Sequence, residues 1–239
     1  MQRLSIEKYQ SQIKVAIEHF WMTRQKQSSN QKKSDQGTRS SVTGGKQLDG
    51  FTELLTKVSK DLGVPENCIF TKGNHLPGFF RPSKEWDFLI ISPNKQLVAV
   101  IEFKSQVGSF GNNFNNRAEE ALGSAVDLWT AFRENGFAQT QPPWIGYLFL
   151  VEFSPKSTSI VKNNEPHFKT RQEFQNTSYL DRYLIFCRKL MQERHYSATA
   201  LMATSESTVF SSPDKEISIE SFLLSFMGHL HGKLNLFEK

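Results

Sequence analysis

Asp87, Glu102 and Lys104 fall within one short stretch that is otherwise apolar, Trp86-Asp-Phe-Leu-Ile-Ile-Ser-Pro-Asn-Lys-Gln-Leu-Val-Ala-Val-Ile-Glu-Phe-Lys104. Two apolar runs flank the Ser92-Pro93-Asn94-Lys95 turn, a pattern that predicts a β-hairpin. Side chains alternate along a strand, so Glu102 and Lys104 share one face while Ile101 and Phe103 take the other. Two carboxylates and an amine at the end of such a hairpin are poor core residues. They suit a divalent-metal site beside a phosphodiester.

Phosphodiester hydrolysis needs charge neutralisation on the pentavalent transition state, an activated water and a stabilised leaving oxygen. Asp87 and Glu102 offer hard oxygen ligands of the kind Mg²⁺ prefers. The backbone carbonyl of Phe103, between them and Lys104, is a further candidate ligand. Such an ion acts as a Lewis acid and acidifies its water. Lys104 would orient the attacking water and offset negative charge, and a neighbouring cation would lower its pKa by repulsion. The bland reading of each residue alone is a surface salt bridge at a strand end. Against it, Glu102 and Lys104 interrupt a Val/Ile run, where an uncompensated charge would be costly. Asp49, Glu53, Glu119 and Glu120 are the helix carboxylates that could assist, and ordinary solvent exposure accounts for each of them as well.

The bulk properties leave room for this chemistry. At 239 residues with 38% hydrophobic and 12% aromatic content, the chain can bury a sizeable core in one large domain. A net charge of +5 permits a nucleic-acid partner without requiring one. Cys68 and Cys187 are far apart and the histidines are scattered, so neither a disulfide framework nor a zinc site is indicated. His229 and His231 read as a solvent-facing helix terminus. No secretory signal or membrane-spanning run is evident, which makes the prokaryotic cytoplasm the expected location and a membrane partner unexpected.

The elements that must position the hairpin can be traced by periodicity. Ile6, Tyr9, Ile13, Ile17, Phe20 and Trp21 mark an amphipathic helix over about residues 4–22, its stripe buried against the body or a second subunit. The composition then turns to Gln, Ser, Lys, Asn and Gly, predicting a mobile basic loop over about 24–46. Within it Lys26, Lys32, Lys33, Arg39 and Lys46 could follow a phosphate backbone. Phe51, Leu54, Leu55, Val58 and Leu62 line a second helix, stopped by Gly63 and Pro65. A short strand near Cys68–Thr71 precedes the hairpin, and a third helix carries Ala118, Ala121, Leu122, Ala125, Leu128 and Phe132. Ile145–Val151 reads as a strand buried on both faces. A helix over Tyr179–Met191, a strand over Ala198–Thr204 and a final helix over Ile217–Leu230 follow. This order predicts one α/β domain over residues 1–239, with three α/β/α layers around a central mixed β-sheet.

Four blocks resemble the XhoI-type type II restriction endonucleases, of the PD-(D/E)xK nuclease superfamily. They are Gly44-Gly-Lys-Gln-Leu-Asp-Gly-Phe51, Leu76-Pro-Gly-Phe-Phe-Arg-Pro-Ser-Lys-Glu-Trp-Asp87, Asp127-Leu-Trp-Thr-Ala-Phe-Arg133, and the run from Phe103 through Asn112-Asn-Phe-Asn-Asn-Arg117 to Gly123. The likeness spans roughly residues 37 to 200 and is more specific than the metal trio. It implies a restriction-endonuclease-like fold and a homodimeric Mg²⁺ enzyme that cuts double-stranded DNA at a palindrome, with CTCGAG as the family's site. It also implies 5′-phosphate ends and a DNA methyltransferase of the same specificity as genetic partner. The first and last helices are the expected dimer surface. The residues agree with this implication. Asn112, Asn113, Asn115 and Asn116 could read adenine edges and Arg117 a guanine, although asparagine turn and cap chemistry explains such a run too. Gln106, Lys46, Arg81 and Lys84 are further candidates for DNA contact. Two other readings stand beside this one, a structure-specific repair nuclease or resolvase and a catalytically silent DNA-binding protein of nuclease fold.

Overall fold

The structure is a computed structural model that describes residues 5–31, 46–139 and 141–238. In chain order its elements are α1 (Gln10–Gln31), α2 (Asp49–Asp61), β1 (Ile69–Phe70), β2 (His75–Pro77), β3 (Ser83–Glu85), β4 (Phe88–Ile91) and β5 (Leu97–Gln106), then α3 (Phe110–Arg133), β6 (Trp144–Glu152), α4 (Pro155–Thr158), α5 (Tyr179–Gln192), β7 (Ala198–Thr204), β8 (Phe210–Ser211) and α6 (Ile219–His231). The expected hairpin forms: β4 and β5 pair antiparallel around a turn in which Lys95 adopts φ 58°.

Among the described residues the main sheet runs β1-β4-β5-β6-β7-β8. Its outer pairs are antiparallel, while β5, β6 and β7 run parallel. Parallel neighbours require crossovers, and these are right-handed almost without exception. Because β5, β6 and β7 advance in one direction, the two crossovers set α3 and α5 on the same face. Their core is Leu89, Val100, Ala121, Ala125, Leu128, Tyr147, Phe149, Tyr183 and Leu190. The other face buries Ile13, Ile17, Phe20, Phe51, Leu55, Ile101, Phe103, Leu148, Phe222 and Phe226, contributed by α1, α2, α6 and the sheet. The result is the expected three-layer α/β arrangement around a mixed sheet. No described helix is long and apolar enough to cross a membrane.

Several boundaries differ from expectation. The first helix does not stop near residue 22 but continues to Gln31, so residues 24–31 are helical rather than part of a mobile loop. Gln, Lys and Arg are good helix formers, and tertiary bonds reward the extension. Trp21 Nε1 donates to Thr204, Arg24 Nη1 to Gln47 Oε1, and Gln25 Nε2 to Glu206. Lys32, Lys33 and Arg39 lie outside the described residues. The apolar stripes of α1 and α6 are spent on the monomer core, with Ile13, Ile17, Phe20, Phe222 and Phe226 fully buried. Gly50 permits the close seating of α1 on α2, since a Cβ there would stand 2.7 Å from Ala16 Cα. The small β2–β3 sheet was not legible in the sequence, because its strands are only three residues long and mostly exposed.

Candidate active site

β5 brings Glu102 and Lys104 to a cleft because of its place in the sheet. Its N-terminal half is sandwiched and apolar, while its C-terminal half outruns β4 and borders an open cleft of about 980 Å³. Asp87 stands where β4 begins. Its N–H donates to the Ile101 carbonyl (3.2 Å), and its Oδ2 then accepts from Phe103 N–H at 2.6 Å. A carboxylate thus replaces the strand carbonyl that the ladder would otherwise offer. The N–H and C=O of one strand residue point to the same edge, so the Phe103 carbonyl also faces the Asp87 side.

Glu102 lies on the opposite side of the pleat from Phe103 and is 3% exposed. Each of its oxygens meets a cation: Lys104 Nζ is 2.7 Å from Oε1, and Lys84 Nζ is 2.7 Å from Oε2. The Lys84 contact is an ion pair without hydrogen-bond alignment, so Oε2 is buried with no hydrogen bond. Lys104 Nζ also lies 3.9 Å from Glu120, whose Oε2 accepts from Arg117 Nη1 at 2.8 Å. The electrostatics follow from this crowding. Burial, then the Glu102 charge, pushes the Asp87 carboxyl up to about 6, against the Phe103 N–H and the two lysines. For Lys104 burial acts downward, but Glu102, Asp87 and Glu120 together raise it above the ordinary range and hold it as an ammonium ion. The lowering expected beside a neighbouring cation is not found here, where the charges that dominate around Lys104 are carboxylates.

The residues present fit a hard divalent cation. Asp87, Glu102 and Phe103 line the same cleft, and the two carboxylates repel each other. Among the described residues no three acidic, histidine or cysteine side chains converge. That sparse donor set suits an ion that keeps several waters. Asp49 and Glu53 line the cleft from α2 while remaining exposed, whereas Glu119 is exposed and Glu120 is engaged by Arg117.

The remaining candidates divide by location. Lys84 and Arg117 line the cleft. Asn112, Asn113, Asn115 and Asn116 occupy the first turns of α3 rather than a loop. Asn112, Asn115 and Asn116 are exposed, and Asn113 Nδ2 donates to the Ser109 carbonyl. Asn112 also faces a second groove, with Lys156, Lys162 and Tyr179 across from it. Arg81 Nε is paired with Asp127 at 2.7 Å. Gln106 is buried, and its Nε2 donates to the Gly108 carbonyl at 2.6 Å. Lys46 is exposed beside the cleft-lining Gln47.

Sequence reasoning missed Gln47, Asn74 and Trp86. Gln47 is buried and donates to Ser105 Oγ at 2.9 Å. Asn74 Nδ2 donates to the Asp87 carbonyl (3.3 Å), and the Asn74 carbonyl accepts from Trp86 N–H (3.0 Å). Gln47 and Trp86 sit within the resembling blocks, a signal that was present. Asn74 sits in a loop whose composition says only that the chain turns.

Comparison with known proteins bears on what this site does. The family model described as restriction endonuclease XhoI matches residues 25–212. The chain is 46% identical over 206 residues to the type II restriction enzyme BstVI of Geobacillus stearothermophilus, covering 82% of this chain and 92% of that one. It is 42% identical over 193 residues to the type II restriction enzyme XhoI of Xanthomonas vasicola, covering 79% and 77%. It is 44% identical over 172 residues to the type II restriction enzyme AbrI of Azospirillum brasilense, covering 70% and 77%. No solved structure matches the chain significantly.

Proposed function

Because the chain belongs to the restriction endonuclease XhoI family, we propose that it cuts both strands of duplex DNA at a palindrome, CTCGAG, with Asp87, Glu102 and Lys104 as its catalytic set and Mg²⁺ as its cofactor. Membership makes it a type II restriction endonuclease, a site-specific deoxyribonuclease acting on DNA. The observation that carries the residue assignment is the buried Glu102, flanked by Lys104 on its own strand and by Asp87 across the hairpin.

Asp87 and Glu102, with the Phe103 carbonyl, would hold the ion. When bound, it supplies Lewis acidity and charge neutralisation to the phosphodiester. The protein's own groups do the rest. Lys104, kept as an ammonium ion by Glu102, donates to the attacking water or a non-bridging oxygen and fixes its position. Hydrolysis adds a water across the P–O3′ bond, so the phosphorus keeps the hydroxyl as a 5′-phosphate and the 3′ oxygen takes the proton. Arg117 and Lys84 line the walls along which a polyanion would lie, and the exposed asparagines of α3 offer amides to base edges. A palindrome presents the same bond twice by two-fold symmetry, which fits a homodimer with one site per strand. An enzyme of this kind needs a DNA methyltransferase of matching specificity to spare the host genome.

Digestion of unmethylated plasmid tests the assignment. Wild type with Mg²⁺ should give discrete fragments whose sequenced ends read as cuts within CTCGAG and carry 5′-phosphates. Asp87→Ala and Lys104→Ala should lose at least about 100-fold in rate. Equal activity in these variants would overturn the catalytic roles, and a different end sequence would overturn the target.

A further inference from the structure

Lys84 is a second lysine on a carboxylate that already has one. Lys104 reaches Glu102 Oε1 from two residues along the same strand, as strand alternation requires. Lys84 comes from a separate element, the β2–β3 sheet, and covers Oε2 at 2.7 Å. Its Nζ also lies 3.2 Å from the Glu85 carbonyl and 4.7 Å from the centre of the Trp86 ring. The side chain is 14% exposed and lines the cleft. It therefore neutralises a buried anion from a position that opens onto the path of the substrate.

We propose that Lys84 is a resident counter-ion, which holds Glu102 in the metal-free protein and passes to the DNA backbone when a divalent cation takes its place. The inference rests on the metal reading given above. Without a cation, Glu102 would leave a charged oxygen buried and unpaired, a costly state that Lys84 prevents. With a cation between Asp87 and Glu102, an ammonium group on the same oxygen faces strong like-charge repulsion in a poorly solvated site. Four methylenes give the released Nζ reach into the cleft that Lys84 lines. A phosphate of the bound strand is the anion that the reaction brings there. Cation arrival and backbone capture would then be linked by one side chain.

Calcium titration calorimetry of the metal-free full-length protein separates this from a merely structural role. Lys84→Gln should bind Ca²⁺ several-fold more tightly than wild type, because the competitor is gone. Lys84→Arg, which keeps the charge, should show no such gain. Asp87→Asn should bind Ca²⁺ at least tenfold more weakly. In Ca²⁺, anisotropy with a CTCGAG duplex at several salt concentrations should show a log–log salt slope for Lys84→Gln shallower by about one per subunit. Unchanged or weaker Ca²⁺ binding by Lys84→Gln, with Asp87→Asn impaired, overturns the counter-ion role and leaves the metal site standing. Unimpaired Asp87→Asn overturns the metal site itself. An unchanged salt slope overturns the transfer to DNA. Should Lys84→Gln not fold, Lys84→Met is read in the same way.

Discussion

At the scale of residues, the site holds charges that the fold would rather not carry. Asp87 has its carboxyl raised to about 6 by burial and by Glu102, against an ordinary 3.8. A carboxyl whose folded pKa is raised stabilises the fold fully below its unfolded pKa and loses that contribution as pH rises through the folded one. At pH 8 the ionised Asp87 therefore lowers the stability of the metal-free protein. Asp87→Asn keeps an oxygen to accept from Phe103 N–H and removes the charge. It should melt several degrees higher than wild type at pH 8 without metal, the gain fading as pH falls from 6 to 4, while cleavage is lost. Calorimetric melting across that range checks it. An Asn variant that melts lower at pH 8 would show that the carboxylate is comfortably held. Stability given up at the residues that do chemistry is the usual trade.

At the scale of elements, the position of Lys84 depends on a carboxylate in another layer. Asp127 of α3 is buried, and its Oδ1 accepts from Phe79 and Phe80 N–H at 2.8 Å each. Its Oδ2 accepts from Arg81 Nε at 2.7 Å. Burial alone would raise its pKa, but these bonds hold it below the ordinary range, so they are fully formed at neutral pH. Gly78 is required beside it, since a Cβ there would stand 2.5 Å from Asp127 Oδ2. One side chain thus pins the β2–β3 turn against α3. Asp127→Ala should cost about 2–4 kcal/mol in urea unfolding. It should also raise amide exchange across residues 78–86 more than in β6. Exchange that rises equally in both segments would mean a general loss of stability instead of a freed turn.

At the scale of the whole molecule, the homodimer proposed above would set two copies on one duplex. With the apolar faces of α1 and α6 consumed internally, the large apolar side chains exposed on them among the described residues are separated ones, Val15, Met22 and Leu224. The expectation that these helices form the dimer surface therefore gains no support from their apolar stripes. The dimer itself has a direct test. A mixed dimer of tagged wild-type and Asp87→Asn subunits should nick one strand of a CTCGAG plasmid and accumulate open circles. Linear product from purified mixed dimers, at the wild-type rate, would mean that one site cuts both strands.

The sequence by itself determined the layers of the fold, because periods of two and of three to four residues mark strands and helices wherever one face is buried. It also determined the site's central strand, since Glu102 and Lys104 are two residues apart and no fold containing that strand can separate them. Family membership was equally legible, in blocks of local sequence. What lay beyond it was every contact made between distant segments. That Asp87 substitutes for a strand carbonyl, that Lys84 caps Glu102 from another sheet, and that Asp127 pins the turn between β2 and β3 all depend on how layers stack. The length of α1 was hidden for the same reason: its last turns are polar, and they are rewarded only by partners such as Gln47 and Glu206 that tertiary structure brings near.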